Sequence, residues 1–210
     1  MATGKLLRFD RRTLDSAGQS LARSRQPVDR GYSRPDDGRF DREQRVFGVC
    51  GAAALYRREM LEQLRDDHGI FDERYFAFYE DLDLAWRAQR RGWQAHYRPQ
   101  AVGYHARGAS GRDAGLAGRW AAMLRRPAEI RYHVVKNRYL TILKNDTLRD
   151  YLANLPFIAA RDLATLILLA CTSPSVLWRL WRGRRLFRET LRERRLDSDG
   201  PRHKTQGRRV

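Results

Sequence analysis

Three carboxylates, Glu80, Asp81 and Asp83, fall within "FAFYEDLDLAWRAQRRGW", behind an aromatic run and ahead of a basic amphipathic stretch. A carboxylate in that position can take a proton from an attacking hydroxyl, or help to hold a divalent ion. It can equally be an acidic first turn that complements a helix dipole and caps free amides. Two forces oppose each other there. A helix N-terminus lowers a carboxylate pKa, whereas burial among Tyr75, Phe76, Phe78 and Tyr79 raises it. "DLD" is not a metal pair, because helical residues two apart project roughly 200° from one another. Asp83 stands four residues before Arg87 and reads as its structural partner.

Three further places carry reactive side chains. Cys50 opens the small-residue run Cys50, Gly51, Ala52 and Ala53; with no histidine near it in sequence, packing is its expected role rather than nucleophilic attack. His105 closes the strand-like "AVGYH", where a lone histidine is most often a hydrogen-bonded, half-exposed side chain. Arg107 and Gly108 follow on a loop where an arginine could meet a phosphate, although a solvated arginine is the commoner outcome.

The elements that must position these residues read as an α/β layer. "KLLRF" (Lys5 to Phe9) is strand-like, and residues 10–43 are polar, rich in turn residues and poorly periodic, as a long surface loop would be. "RVFGVCGAAALY" reads as one buried strand whose small residues permit close approach. "RREMLEQLRDDHG" is a helix with Met60, Leu61 and Leu64 on one side and Gly69 as its stop. A second helix begins near Glu80 or Asp81 and ends at Gly92. "WQAHYRP" and "AVGYH" alternate as two strands parted by Pro99. From Gly108 the chain is glycine-rich, then helical from Pro127 into an apolar segment and a basic tail, with disorder expected from Asp197.

The chain has 210 residues, 42 Lys+Arg against 25 Asp+Glu and a formal charge of +17, which favours anionic partners. Two cysteines cannot form a disulfide framework, and the N-terminal residues form no apolar signal core, so a reducing compartment is expected. No zinc-ligand set, helix-turn-helix pattern or ribonucleoprotein signature accompanies the charge, so a nucleic-acid-binding protein is the weaker alternative. The segment Leu152 to Trp181 is apolar but interrupted by Arg161 and Asp162. Its uncharged part is shorter than a spanning helix wants, and Trp178, Trp181 and "RGRR" suit a helix lying on an anionic membrane surface.

"KLLRFDRRTLDSAG", "VCGAAALYRREML", "FDERYFAFYEDLDLAWRAQRRGW" and "YRPQAVGYHARGAS", in that order and spacing, resemble the second half of family 2 glycosyltransferases of the GT-A fold, in the rhamnosyltransferase-like branch. The resemblance implies a partial GT-A domain, a Rossmann-like mixed sheet, over residues 1–112. Amphipathic membrane-associating helices over 113–196 and a disordered 197–210 would follow. It also implies a departure: the nucleotide-binding half that ends in a D-x-D metal site is not present ahead of these motifs. The reading is then of a fragment, a misassigned start or one piece of a split protein, with the other half possible as a separate chain.

By the same resemblance Asp81 is the base and Glu80 its neighbour, orienting it. Cys50, Gly51, Ala52 and Ala53 match the stretch near donor and acceptor, and Arg107, from its place on the loop after His105, is a further candidate for substrate binding. His105 completes a metal shell, for Mn or Mg, that needs the D-x-D half. The implied activity is inverting transfer of a sugar, rhamnose by analogy, from a nucleotide-sugar donor to a glycan or lipid-linked acceptor. It would serve cell-wall or polysaccharide synthesis at the cytoplasmic face of the inner membrane. A non-catalytic, membrane-associated subunit of a split transferase is the alternative.

Overall fold

The structure is a computed structural model that describes residues 1–106 and 123–199. Its centre is a five-stranded mixed sheet in which β1 (Ala2–Leu7) lies parallel to β7 (Ala95–Tyr104). The other edge of β1 pairs antiparallel with β2 (Leu14–Ser16) and β6 (Ala54–Leu55), and β5 (Gln44–Val46) pairs antiparallel with β7. A separate hairpin joins β3 (Gln19–Leu21) to β4 (Pro27–Asp29). The described residues are therefore mixed α/β.

Three sequence expectations change. Residues 10–43 are not one loop: β2, β3 and β4 lie within them, each of three residues, too short for periodicity to reveal. Residues 45–56 do not form one buried strand. β5 stops at Val46, Val49 and Cys50 are buried, and Gly51 to Ala53 turn outward before β6, with Ala53 N bonded to Cys50 O at 3.1 Å. Pro99 does not separate two strands either. β7 runs through it with a bulge, since Gly4 faces Arg98 while Lys5 faces Val102. Gly4 is needed opposite that bulge, because a Cβ there would sit 2.0 Å from Ala101 O.

Helix α1 (Arg58–Leu64) buries Met60 and Leu64, and Gly69 lies beyond it in a turn at φ +94°. Helix α2 (Glu80–Arg90) turns Leu82, Leu84, Ala85 and Ala88 inward and stops before Gly92, whose φ of +84° suits the end of a helix. Met60, Leu64, Leu84, Ala85 and Ala88 pack with Val49 and Ala95 between sheet and helices. A second core joins Tyr75, Tyr79 and Leu82 to Leu140 of α3 (Ala128–Asn145). Beyond α3 come α4 (Leu148–Ala153), α5 (Leu155–Thr172), α6 (Pro174–Arg182) and α7 (Arg184–Asp199). Met123, Val135, Leu169 and Val176 form the core between α3, α5 and α6. Disorder is expected from 197, but α7 continues to Asp199; residues 107–122, with the glycine-rich stretch, and residues 200–210 lie outside the described residues. Helix α5 is long and apolar enough to cross a membrane by length and composition.

Candidate active site

The approach to α2 is held in an unusual backbone. Phe76, Phe78 and Tyr79 all have positive φ, at 65°, 70° and 73°, although none is glycine. At Phe76 (ψ −58°) the chain makes a tight γ-turn, with Ala77 N donating to Tyr75 O at 2.8 Å. Such conformations persist only where surroundings over-determine them. Here one side chain holds it: Asn137 Nδ2 on α3 shares its two hydrogens among Tyr75 O, Ala77 O and Phe78 O, at 2.9, 2.6 and 2.7 Å. The turn sets Glu80 and Asp81 at the start of α2, with Tyr79 in a left-handed conformation and offering no side-chain cap.

Asp81 is partly exposed, and its carboxylate is oriented by three hydrogen bonds. Gln19 Nε2 and Gly51 N donate to Oδ2 at 2.8 and 3.1 Å, and Leu82 N donates to Oδ1 at 2.8 Å. A carboxylate has about four lone-pair sites, so these bonds leave one, on Oδ1, for a further donor. No arginine or lysine among the described residues bonds to it. Burial pushes its pKa above the usual carboxylate range; the bonds from Gly51, Gln19 and Leu82 oppose that rise, and the Asp29 charge adds to it. The opposition between helix terminus and burial is thus won by burial. Asp81 does take one free amide of the first turn, so one side chain caps the helix and keeps an acceptor position open.

Glu80 makes no hydrogen bond to Asp81. Its pKa is also raised, by burial and then by the Asp81 charge, and its Oε2 is buried without a partner. The orientation expected of Glu80 is supplied by Gln19 and Gly51. Tyr56 adjoins the same group: burial and the charges of Asp81, Cys50 and Glu80 push its hydroxyl well above the ordinary tyrosine range, and that hydroxyl has no hydrogen-bond partner. Cys50 is buried, and Gly51 lies against Asp81, where a Cβ would be in van der Waals contact with Oδ2 at 3.4 Å. Ala52 is exposed beside it. The structure therefore brings Cys50, Gly51, Glu80 and Asp81 together, and adds Gln19, Asp29 and Tyr56, which sequence reading missed. None of the three carried a local sequence signal for this meeting.

His105 belongs to a different neighbourhood. Its Nδ1 lies 2.9 Å from Oδ2 of the buried Asp15, and its backbone N donates to Leu7 O. Against a carboxylate Nδ1 carries the hydrogen, which leaves Nε2 outward. Asp15 sits on β2 beside Ser16, whose hydroxyl donates to Asp29 at 2.9 Å, so β2 links His105 to the Asp81 end. His105 and Asp15 supply two donors, and among the described residues no group of three His, Cys, Asp or Glu is placed to hold a metal. These residues alone do not fit a divalent ion. Arg107 lies outside the described residues.

Asp83 points away from Asp81, into the protein. It receives Arg87 Nε at 2.8 Å, Lys144 Nζ at 3.2 Å and Asn145 Nδ2 at 2.7 Å. Lys144 also reaches Asp72 at 2.7 Å, and Arg74 binds both Asp72 and Glu193 of α7. The expected partnership with Arg87 is present within a wider network tying the turn at 65–79 to α2, α3 and α7.

No family model matches the chain, and no solved structure matches it. Over 72 residues, 34% of this chain, it is 40% identical to N-acetylglucosaminyl-diphospho-decaprenol L-rhamnosyltransferase of Mycobacterium tuberculosis, in strains CDC 1551 / Oshkosh and ATCC 25618 / H37Rv alike. The match spans 22% of the length of these curated relatives. Through that partial likeness, the chain is similar to a glycosyltransferase.

Proposed function

We propose that this chain supplies the acceptor-side half of an inverting glycosyltransferase of family 2, in a partial GT-A domain, with Asp81 as general base. One observation carries the reading: Asp81 is fixed by three neutral donors, has no cationic partner among the described residues, and keeps one acceptor position on Oδ1. An acceptor hydroxyl donating to Oδ1 would be aligned for attack. As its oxygen bonds to the anomeric carbon, the bond from that carbon to the leaving diphosphate breaks and the electron pair departs with the phosphate. The hydroxyl proton passes to Oδ1, and the anomeric centre inverts. A base whose pKa has been raised toward the operating pH accepts that proton more readily. Gly51, on the Asp81 carboxylate, and the exposed Ala52 leave room for substrate on that side.

The name of the curated relatives joins an L-rhamnosyl group to a prenyl-diphosphate-linked sugar, which supports a nucleotide-sugar donor and a lipid-linked or glycan acceptor. Rhamnose itself rests on that analogy. A divalent ion would neutralise the leaving diphosphate, but its main oxygen ligands would have to come from a donor-binding half beyond these residues.

The test is release of nucleoside diphosphate from a panel of nucleotide-sugars, with a prenyl-diphosphate-linked sugar as acceptor. It uses the longest reading frame that contains this chain. Asp81→Asn is expected to lower turnover about 10²- to 10⁴-fold, the usual share of a general base, with folding intact. Undiminished turnover would remove Asp81 from the chemistry, and no turnover by the wild type would favour a non-catalytic acceptor-side subunit.

A further inference from the structure

Helix α5 is built inside out. Its two charged residues face the protein: Asp162 Oδ1 lies 2.7 Å from Arg138 Nη1 of α3, and Arg161 and Asp162 fall on the stripe of the buried Ile158, Thr165 and Leu169. The outward face carries Leu155, Phe157, Leu163, Leu166 and Ile167, all exposed, and no charged residue. A helix facing water shows the reverse arrangement. Only 17% of this helix is buried, so the apolar face is continuous and, among the described residues, uncovered.

The ends of that face carry matching chemistry. Near its start the Arg23 guanidinium stands 3.9 Å over the exposed Phe157 ring. On the following helix Trp178 and Trp181 stack at 4.9 Å, both more than half exposed, and Arg184 stands 4.2 Å over Trp181. Arg182, Arg185 and Arg188 are exposed next to it in sequence. Amphipathic aromatics beside guanidinium groups, bordering an apolar strip, suit the boundary between acyl chains and anionic headgroups. At 1.5 Å per residue the 18-residue helix is about 27 Å long, close to the thickness of a bilayer core. Spanning would nevertheless put the Arg138–Asp162 pair, on the flank of α5 near its middle, at bilayer depth and draw α3 in with it. The arrangement is one of lying flat.

We propose that the outer face of α5 and the Trp178–Trp181 pair dock on an anionic lipid bilayer, with the helix axis parallel to the membrane plane and Arg23 and Arg184 meeting lipid phosphates. This does not depend on the reaction proposed above. Co-sedimentation of the full chain with vesicles of phosphatidylglycerol and phosphatidylcholine, and with phosphatidylcholine alone, tests it. The mixed vesicles should bind more tightly, and brominated acyl chains should quench a tryptophan signal that disappears in the double variant Trp178→Ala, Trp181→Ala. The variant Leu163→Ser, Ile167→Ser, changed only at exposed positions, should bind about tenfold or more weakly while keeping its circular dichroism. Arg184→Glu should weaken binding to the anionic vesicles selectively. Absence of vesicle binding, equal binding by wild type and the serine variant, or a dimer in solution that the serine variant dissociates would each overturn the proposal, the last by assigning the face to a second copy of this chain.

Discussion

At the scale of single residues, the carboxylate of Asp81 is governed by desolvation rather than by the dipole of the helix it begins. A base must be ionised to act, so turnover is expected to rise with pH through its elevated pKa. The acid limb of the rate profile should then lie above the ordinary aspartate range, and Gln19→Leu, which removes one opposing hydrogen bond, should move it further up. A limb that stays put in that variant would separate Gln19 from the titration. Because ionised Asp81 is disfavoured by the fold, Asp81→Asn should melt no lower than wild type at neutral pH, read by calorimetry. Gly51→Val should lower turnover far more than stability, because its side chain would crowd Oδ2 at the surface of the molecule. The acidic pair and the small residue facing it were singled out in the sequence by residue type and by the family resemblance, and the structure brings them together. Gln19 and Tyr56 were not, since no local pattern states that a strand some sixty residues upstream, or a tyrosine after a turn, will meet the start of α2.

At the scale of elements, the turn into α2 depends on one amide from another helix. Asn137→Ala removes donors from three buried or half-buried carbonyls and leaves three positive-φ residues without their clamp. A loss of about 2–4 kcal/mol is expected in chemical denaturation, the range for stranded buried polar groups beside backbone strain that is no longer offset. Asn137→Asp, which keeps the shape but not the donors, should do no better. Helix α2 was legible from its periodicity and its glycine stop at Gly92, whereas α1 ends at Leu64, ahead of the stop expected at Gly69. The short strands β2, β3 and β4 were hidden because three residues cannot establish alternation. Asn137 was hidden because a polar residue in mid-helix ordinarily faces water, and here it faces a strained turn.

At the scale of the whole molecule, buried charges stitch the layers together. Asp72 is penalised by burial, but Arg74 and Lys144 outweigh it and hold its carboxyl well below the usual carboxylate range. A depressed folded pKa contributes stability that is complete above the unfolded value near pH 4 and is lost as pH falls below it. Acid unfolding should therefore begin below about pH 4, and Asp72→Asn should flatten that dependence while lowering stability at neutral pH, because Lys144 then keeps only Asp83 and Arg74 only Glu193. At this scale the charges within α5 were the misleading signal. Arg161 and Asp162 look like interruptions along the chain and prove to be its inward face.

The parallel pairing of β1 with β7 sets an order of events during synthesis. Ala2 is matched with His96 and Leu7 with Tyr104, so the innermost seam of the sheet joins segments that leave the ribosome far apart in time. Until residue 104 emerges, β1 has a bare edge able to recruit a stray strand, and closing so long a loop is slow. A nascent chain halted before β7 should therefore be captured by chaperones or aggregate, and one released after it should not.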